Sequence, residues 1–236
     1  MAEQDAPPPR RRGRPPGRTA RGQQMQRHLY EVAIRLVASR GWQATTLREV
    51  ASAAGVSVGL LYRYFPSKRA VLLALYDDLS AEFADRAADH LLRGRWQARF
   101  LRALGLSLAV LEPHRATLAA LVPVLVGDTD EGLFAPRTAF SRQRVEGVFV
   151  AAITDATDAP RGELGPALGR LLYLLHLAVL LWWLLDKSPQ QRATQALVTL
   201  LGQVLRLGAP ALRLPGVPRL ITTAAALVRE ALYGES

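Results

Sequence analysis

Residues 45–72 read TTLREVASAAGVSVGLLYRYFPSKRAVL, and this stretch decides the fold. Thr46 followed by Glu49 is a capping box: the threonine hydroxyl accepts from the amide three residues on, and the glutamate reaches back. The short helix it opens, 47–54, sets Leu47, Val50, Ala51 and Ala54 on one face. Gly55 supplies the left-handed conformation that two steeply crossing helices require between them. Val56 is placed to pack under that turn, and Ser57 caps a second short helix, 58–65. Leu61 and Phe65, four apart, face inward on it. Val58, Gly59, Leu60, Tyr62, Arg63 and Tyr64 face outward. A helix that shows aromatics and an arginine without any acid is poorly matched to water alone. It suits a major groove, where apolar side chains meet thymine methyls and hydroxyls meet phosphates.

On these residues the segment resembles the DNA-binding signature of the TetR family of bacterial transcriptional regulators. The family's T-x-x-x-I/V-A-x-x-A-G-V-S pattern falls on Thr46, Val50, Ala51, Ala54, Gly55, Val56 and Ser57. Its L-Y-x-Y/H-F-x-x-K ending falls on Leu61, Tyr62, Tyr64, Phe65 and Lys68. The resemblance covers residues 23–75; beyond them it extends only to helical character and helix lengths. It implies that Thr46, Tyr62, Tyr64 and Lys68 touch phosphates, with Ser57 and Arg63 beside them. Arg48, Val58, Gly59 and Leu60 are implied at base edges. The small, apolar trio Val58, Gly59 and Leu60 departs from a donor-rich reading head. Specificity would then lean on Arg48, methyl contacts and DNA shape.

Charge is distributed as a polyanion-binding end requires. The 236 residues carry a formal charge of +10, of which +8 falls up to Lys68 and +2 on the remainder. Half the residues are hydrophobic, ample for a core. There is no cysteine, which excludes a disulfide-stapled secreted scaffold and thiol chemistry. The N-terminus lacks the apolar stretch of a signal peptide. The longest apolar run, 171–185, falls short of the ~18 residues of a membrane span. A cytoplasmic protein without membrane contact is expected.

Three parts follow along the chain. Residues 1–22, dense in Pro, Arg and Gly, read as a disordered basic tail. Within it Arg12-Gly13-Arg14-Pro15 resembles an AT-hook core, placing Arg12 and Arg14 along a narrow minor groove. Residues 23–67 form the helix-turn-helix domain, opened by an amphipathic helix over 23–40 that Gly41 stops. Residues 68–236 form a helical effector-binding and dimerisation domain. It begins with a connecting helix over 68–92 and continues with helices near 96–112, 116–126, 137–157, 165–186, 189–208 and 218–233. The fold class is all-α, with no strand or internal repeat.

Catalytic and metal constellations are absent. His28, His90, His114 and His176 have no ligand-like partner four residues away, and no zinc site is expected. Asp128, Asp130 and Glu131 begin like a calcium loop. Gly132 falls one place early, however, and Ala139 stands where the bidentate Glu belongs. A solvated acidic loop is the expectation. No enzyme activity, cofactor or metal is expected.

The helices 165–186 and 189–208 are apolar nearly all round and need cover on every side. A four-helix interface with a second copy supplies it, and the resemblance implies the same. Expected interface residues are Leu172, Val179, Trp183, Leu197, Leu201 and Val204. The resemblance also implies an effector pocket between the connecting helix and the C-terminal bundle. Phe100, Leu104, Leu121, Phe149, Tyr173 and His176 are expected to line it. The expected partners are thus a double-stranded DNA operator, a second copy of the chain and an unidentified small-molecule effector. A repressor released by a small apolar or amphipathic effector is the expected function. The alternative is an architectural DNA-binding protein with no effector.

Overall fold

The computed structural model describes residues 19–91 and 93–234. Among them the chain is all helical. The first unit comprises α1 (Ala20–Arg40), α2 (Leu47–Ala53) and α3 (Val58–Tyr64). Then follow α4 (Lys68–His90), α5 (Trp96–Leu111), α6 (Arg115–Gly127) and α7 (Ala139–Thr154). The chain continues with α8 (Leu164–Leu185), α9 (Arg192–Gly208) and α10 (Val217–Tyr233). Single 3-10 turns precede α6, α7, α9 and α10. α1 begins at Ala20, where the Thr19 hydroxyl accepts from the Gly22 amide. Residues 19–22 therefore belong to the start of α1, where a disordered tail was expected. The connecting helix stops at His90 rather than at residue 92.

Two cores hold the elements. Leu29, Val32 and Ala33 of α1 close with Val50, Leu61 and Phe65 over the helix-turn-helix. Each is at most 4% exposed, so this small unit has a centre of its own. The larger core runs from Trp42 through α4 to α8, with Phe83, Phe100, Phe149 and Tyr173 among its members. α7 and α8 are its most closely packed pair. Gly169 makes this possible: a Cβ there would sit 2.7 Å from the Val150 Cα.

Arg99 is 3% exposed, and its guanidinium donates to the carbonyls of Leu91, Ala151 and Ala152. A buried cation is thereby converted into a staple between α5, the end of α4 and the end of α7.

α8 lies within a residue of the helix expected over 165–186. Over 22 residues it is long and apolar enough to cross a membrane by length and composition, as are the stretches Trp96–Gly127 and Pro189–Arg213. In the fold α8 instead meets α6, α7, α9 and α10.

Candidate nucleic-acid interface and ligand cavity

The helix-turn-helix forms by local rules. Thr46 Oγ1 accepts from the Glu49 amide at 3.3 Å, and Glu49 Oε2 accepts from the Thr46 amide at 2.8 Å. These bonds hold the Glu49 carboxyl below the usual carboxylate range. Gly55 takes φ +66° between the helices, and Ser57 Oγ accepts from the Leu60 amide at 3.2 Å. Leu61 is fully buried, so the opposite face of α3 is turned outward. Val58 (37% exposed) and Tyr62 (47% exposed) stand on that face. Gly59 and Arg63 are exposed beside them, and Leu60 and Tyr64 are half-buried. Arg48 and Ser57 are exposed as well. None of these positions carries an acidic side chain.

Two of the residues expected at phosphates make hydrogen bonds within the domain. The Thr46 hydroxyl donates to Glu49 Oε2 at 2.9 Å, and its amide is held by the same carboxylate. Both groups are thus engaged inside the domain. Lys68 turns its ammonium inward as well. Nζ donates to the Trp42 carbonyl at 2.7 Å and the Thr45 carbonyl at 3.2 Å, and lies 4.4 Å from the centre of the Trp42 ring. Lys68 therefore ties the start of α4 to the chain entering α2. Arg12 and Arg14 lie outside the described residues.

Beyond this unit an apolar cavity of about 150 Å³ opens between α4, α5, α6, α7 and α8. α4 contributes Tyr76, Leu79, Ser80 and Phe83 to its wall. Of the six residues expected there, Tyr173 and His176 do line it. Phe100, Leu104, Leu121 and Phe149 do not; each is at most 1% exposed and fills the core. Phe149 packs behind the wall, its ring centre 4.4 Å from that of His176 and tilted by 34°. His176 Nε2 shares a hydrogen bond with Ser107 Oγ at 2.8 Å, while Nδ1 has no partner. Complete burial lowers the imidazole pKa to about 3, so the ring is neutral at physiological pH. Among the described residues no acidic side chain lines the cavity, and Arg142 is its one formal charge. Arg142 carries no signal in the sequence, because one arginine in a helix of mixed polarity reads as surface.

The acidic loop is not the free, solvated feature expected. Asp128 Oδ1 accepts from the amides of Asp130 and Glu131, which folds the loop on itself. Glu131 then pairs with Arg69 at 2.5 Å, and the Tyr76 hydroxyl donates to the Glu131 carbonyl at 3.1 Å. The loop is thus docked on α4 at the cavity's edge. Among the described residues no group of three or more His, Cys, Asp or Glu side chains forms a metal site.

The outer faces of α8 and α9 also differ from expectation. Leu172, Val179 and Trp183 are at most 5% exposed, and Trp183 Nε1 donates to Gln191 Oε1 at 2.6 Å. They belong to the interior of a single copy. Leu197 and Leu201 are half-buried against the same core. Val204, 53% exposed, is the expected interface residue that faces outward. With it stand Leu181, Trp182 and Leu185 of α8, and Leu200 and Leu207 of α9.

Comparison with known proteins agrees with this architecture. Residues 29–75 match the family described as bacterial regulatory proteins, tetR family. The HTH-type transcriptional repressor KstR2 of Rhodococcus jostii is 39% identical over 67 residues, 27% of this chain and 33% of that protein. The chain thus spans a third or less of the length of the curated relatives it matches. A tetR-family transcriptional regulator from Streptomyces coelicolor superposes with a TM-score of 0.57 at 23% identity, over 87% of this chain and 89% of that one. The regulator FadR from Bacillus subtilis, solved in complex with stearoyl-CoA, gives 0.58 at 14% identity over 74% and 96%. Residues 29–75 thus match the DNA-binding region of the tetR family, and the chain as a whole shares the all-helical fold of solved regulators of that family.

Proposed function

We propose that the chain is a cytoplasmic, homodimeric transcriptional repressor that leaves its DNA operator when a small apolar or amphipathic effector fills the cavity. One observation carries this reading: α4 leaves the DNA-reading unit at Lys68 and forms a wall of the cavity from Tyr76 to Phe83. An occupant that changes the packing of α4 must act on α3 through a single helix. If it favours one separation of the two α3 helices over another, linkage obliges it to change DNA affinity. The binding of stearoyl-CoA by FadR gives a neighbour of similar fold an amphipathic ligand.

In a dimer the two α3 helices enter successive major grooves about 34 Å apart. The exposed residues of α8 and α9 supply the apolar area for a second copy. Arg48, Ser57, Val58, Gly59, Leu60, Tyr62, Arg63 and Tyr64 form the DNA-facing set. The groups of Thr46 and Lys68 support it from within.

The test is selection of duplexes from a random pool by the purified full-length protein, then anisotropy titration of the selected duplex against scrambled DNA. At least a hundredfold preference is expected at physiological salt. A steep salt dependence without sequence preference would instead assign the chain to architectural DNA binding.

A further inference from the structure

Among the described residues Arg142 is the charged side chain with buried nitrogens that lack a hydrogen-bond partner. It lines the cavity, is 9% exposed, and its Nε and Nη1 are buried without a hydrogen-bond partner. Desolvated guanidinium groups are ordinarily paired, because an unmet charge in an apolar setting is costly. The guanidinium lies 4.3 Å from the ring of Tyr233, which offsets only part of that cost. The carboxylate one turn on, Glu146, is engaged elsewhere. It pairs with Arg170 at 3.4 Å and accepts from the Tyr233 hydroxyl at 3.0 Å. Nearby Asp77 pairs with Arg144, and Glu131 with Arg69. Among the described residues no acidic side chain lines the cavity, which leaves Arg142 open to an anion that enters it.

We infer that the effector is a monoanionic amphipath, a small apolar body bearing one carboxylate that pairs with Arg142. This rests on the effector reading above and names the chemistry it requires. The apolar body follows from the leucine-rich wall of α6 and α8, and its size from the volume. A cavity of about 150 Å³ suits a benzene-sized group. A single anionic group matches a single unpaired cation; a dianionic phosphate would bring a second charge into the same desolvated space. Ser80 and Ser141 add hydroxyls to the lining that carries Arg142. The pairing removes the cost of the buried charge only when the ligand is present, so acid and neutral isostere are told apart chiefly at this residue.

The experiment is calorimetric titration of the full-length protein with phenylacetate against phenylacetamide, and octanoate against octanamide. In wild-type protein each acid should bind at least tenfold more tightly than its amide. Arg142→Gln should bring acid and amide within about twofold, and Arg142→Lys should retain part of the preference. Equal binding of acid and amide by wild-type protein would overturn the anionic assignment while leaving an effector of neutral chemistry in place. An acid preference that Arg142→Gln does not alter would also overturn it, as would failure of all four compounds to bind. An acid that binds through Arg142 yet leaves affinity for the selected duplex unchanged would uphold the site and overturn its regulatory reading.

Discussion

Arg69 donates from Nε to Glu131 Oε1 at 2.5 Å, one residue after Lys68 grips the carbonyls of Trp42 and Thr45. Two neighbouring cations at the start of α4 thus hold different parts of the molecule: the entry to the DNA-reading unit and the loop beside the cavity. Their positions suggest a short route from ligand to DNA. Its reality depends on two discrete arrangements that both ligands bias, and each contact can be tested separately.

Lys68 has two competing roles with different signatures. As an internal clamp, Lys68→Met would leave two carbonyls with fewer donors and loosen the seat of α2. Thermal stability should fall, by about 1–2 kcal/mol for the lost charged hydrogen bonds of a half-buried group. DNA affinity should fall with it, and the slope of log affinity against log salt should stay as in wild type. A phosphate contact would instead lower that slope by about one unit. Anisotropy titrations at four salt concentrations separate the two.

Glu131→Gln removes the ion pair with Arg69 and keeps the side chain's shape. Ligand affinity of the isolated protein should change less than twofold, because Glu131 does not line the cavity. The ratio of operator affinities with and without ligand should shrink toward one. An unchanged ratio would show that coupling runs along α4 without help from this loop.

Acid sensitivity should trace to His176. Its pKa falls from 6.5 to about 3 through burial, so between those values the unfolded chain binds the extra proton. Stability therefore rises with pH across this window and is lost as pH falls below about 6.5, at up to about 1.4 kcal/mol per pH unit. His176→Gln should remove this component. Between pH 7 and pH 5 the wild-type protein should lose up to about 2 kcal/mol more than the variant in urea unfolding. Parallel losses would show that the ring is protonated in the native state.

The packing of α7 on α8 gives a further expectation. Gly169→Val forces atoms into the Val150 backbone, whose Cα already lies 2.7 Å from where a Cβ would stand. Overpacking of this kind costs about 1–3 kcal/mol or more. The cavity lies between the same two helices, so ligand affinity should fall alongside the melting temperature. Wild-type stability in this variant would show that α7 and α8 can part without loss.

How far the sequence could be read depends on the contrast each segment carries. Capping box, Gly55 and the buried pair Leu61 and Phe65 are local signals, and α2 and α3 stand within a residue of where they were expected. α8 offers no such contrast. With leucine on every side, its inward stripe of Leu172, His176, Val179 and Trp183 cannot be told from its outward one of Leu181, Trp182 and Leu185. Three interface assignments fell inside a single copy for that reason. The pocket differs for another reason: Phe100, Leu104, Leu121 and Phe149 are apolar enough to line a cavity but fill the core instead. Arg142, Arg69 and Glu131 depend on tertiary neighbours more than 60 residues away in the case of the Arg69 pair, which periodicity cannot register.

The two adjacent tryptophans of α8 provide the sharpest test of which face is which. Trp182 is 49% exposed, whereas Trp183 is 1% exposed and hydrogen-bonded to Gln191. Trp182→Glu places a charge where one copy alone leaves it in water, so the fold should survive with a melting curve near that of wild type. If this face meets a second copy, the charge is buried on association and costs several kcal/mol. Sedimentation should then show monomer at concentrations where the wild type is dimeric, and operator affinity should fall with the loss of the second half-site contact. Trp183→Glu should behave differently, failing to fold whether or not a partner is present. A Trp182→Glu protein that remains dimeric would move the interface away from this stripe. The exposed leucines of α10, Leu220 and Leu227, would then be the next surface to charge.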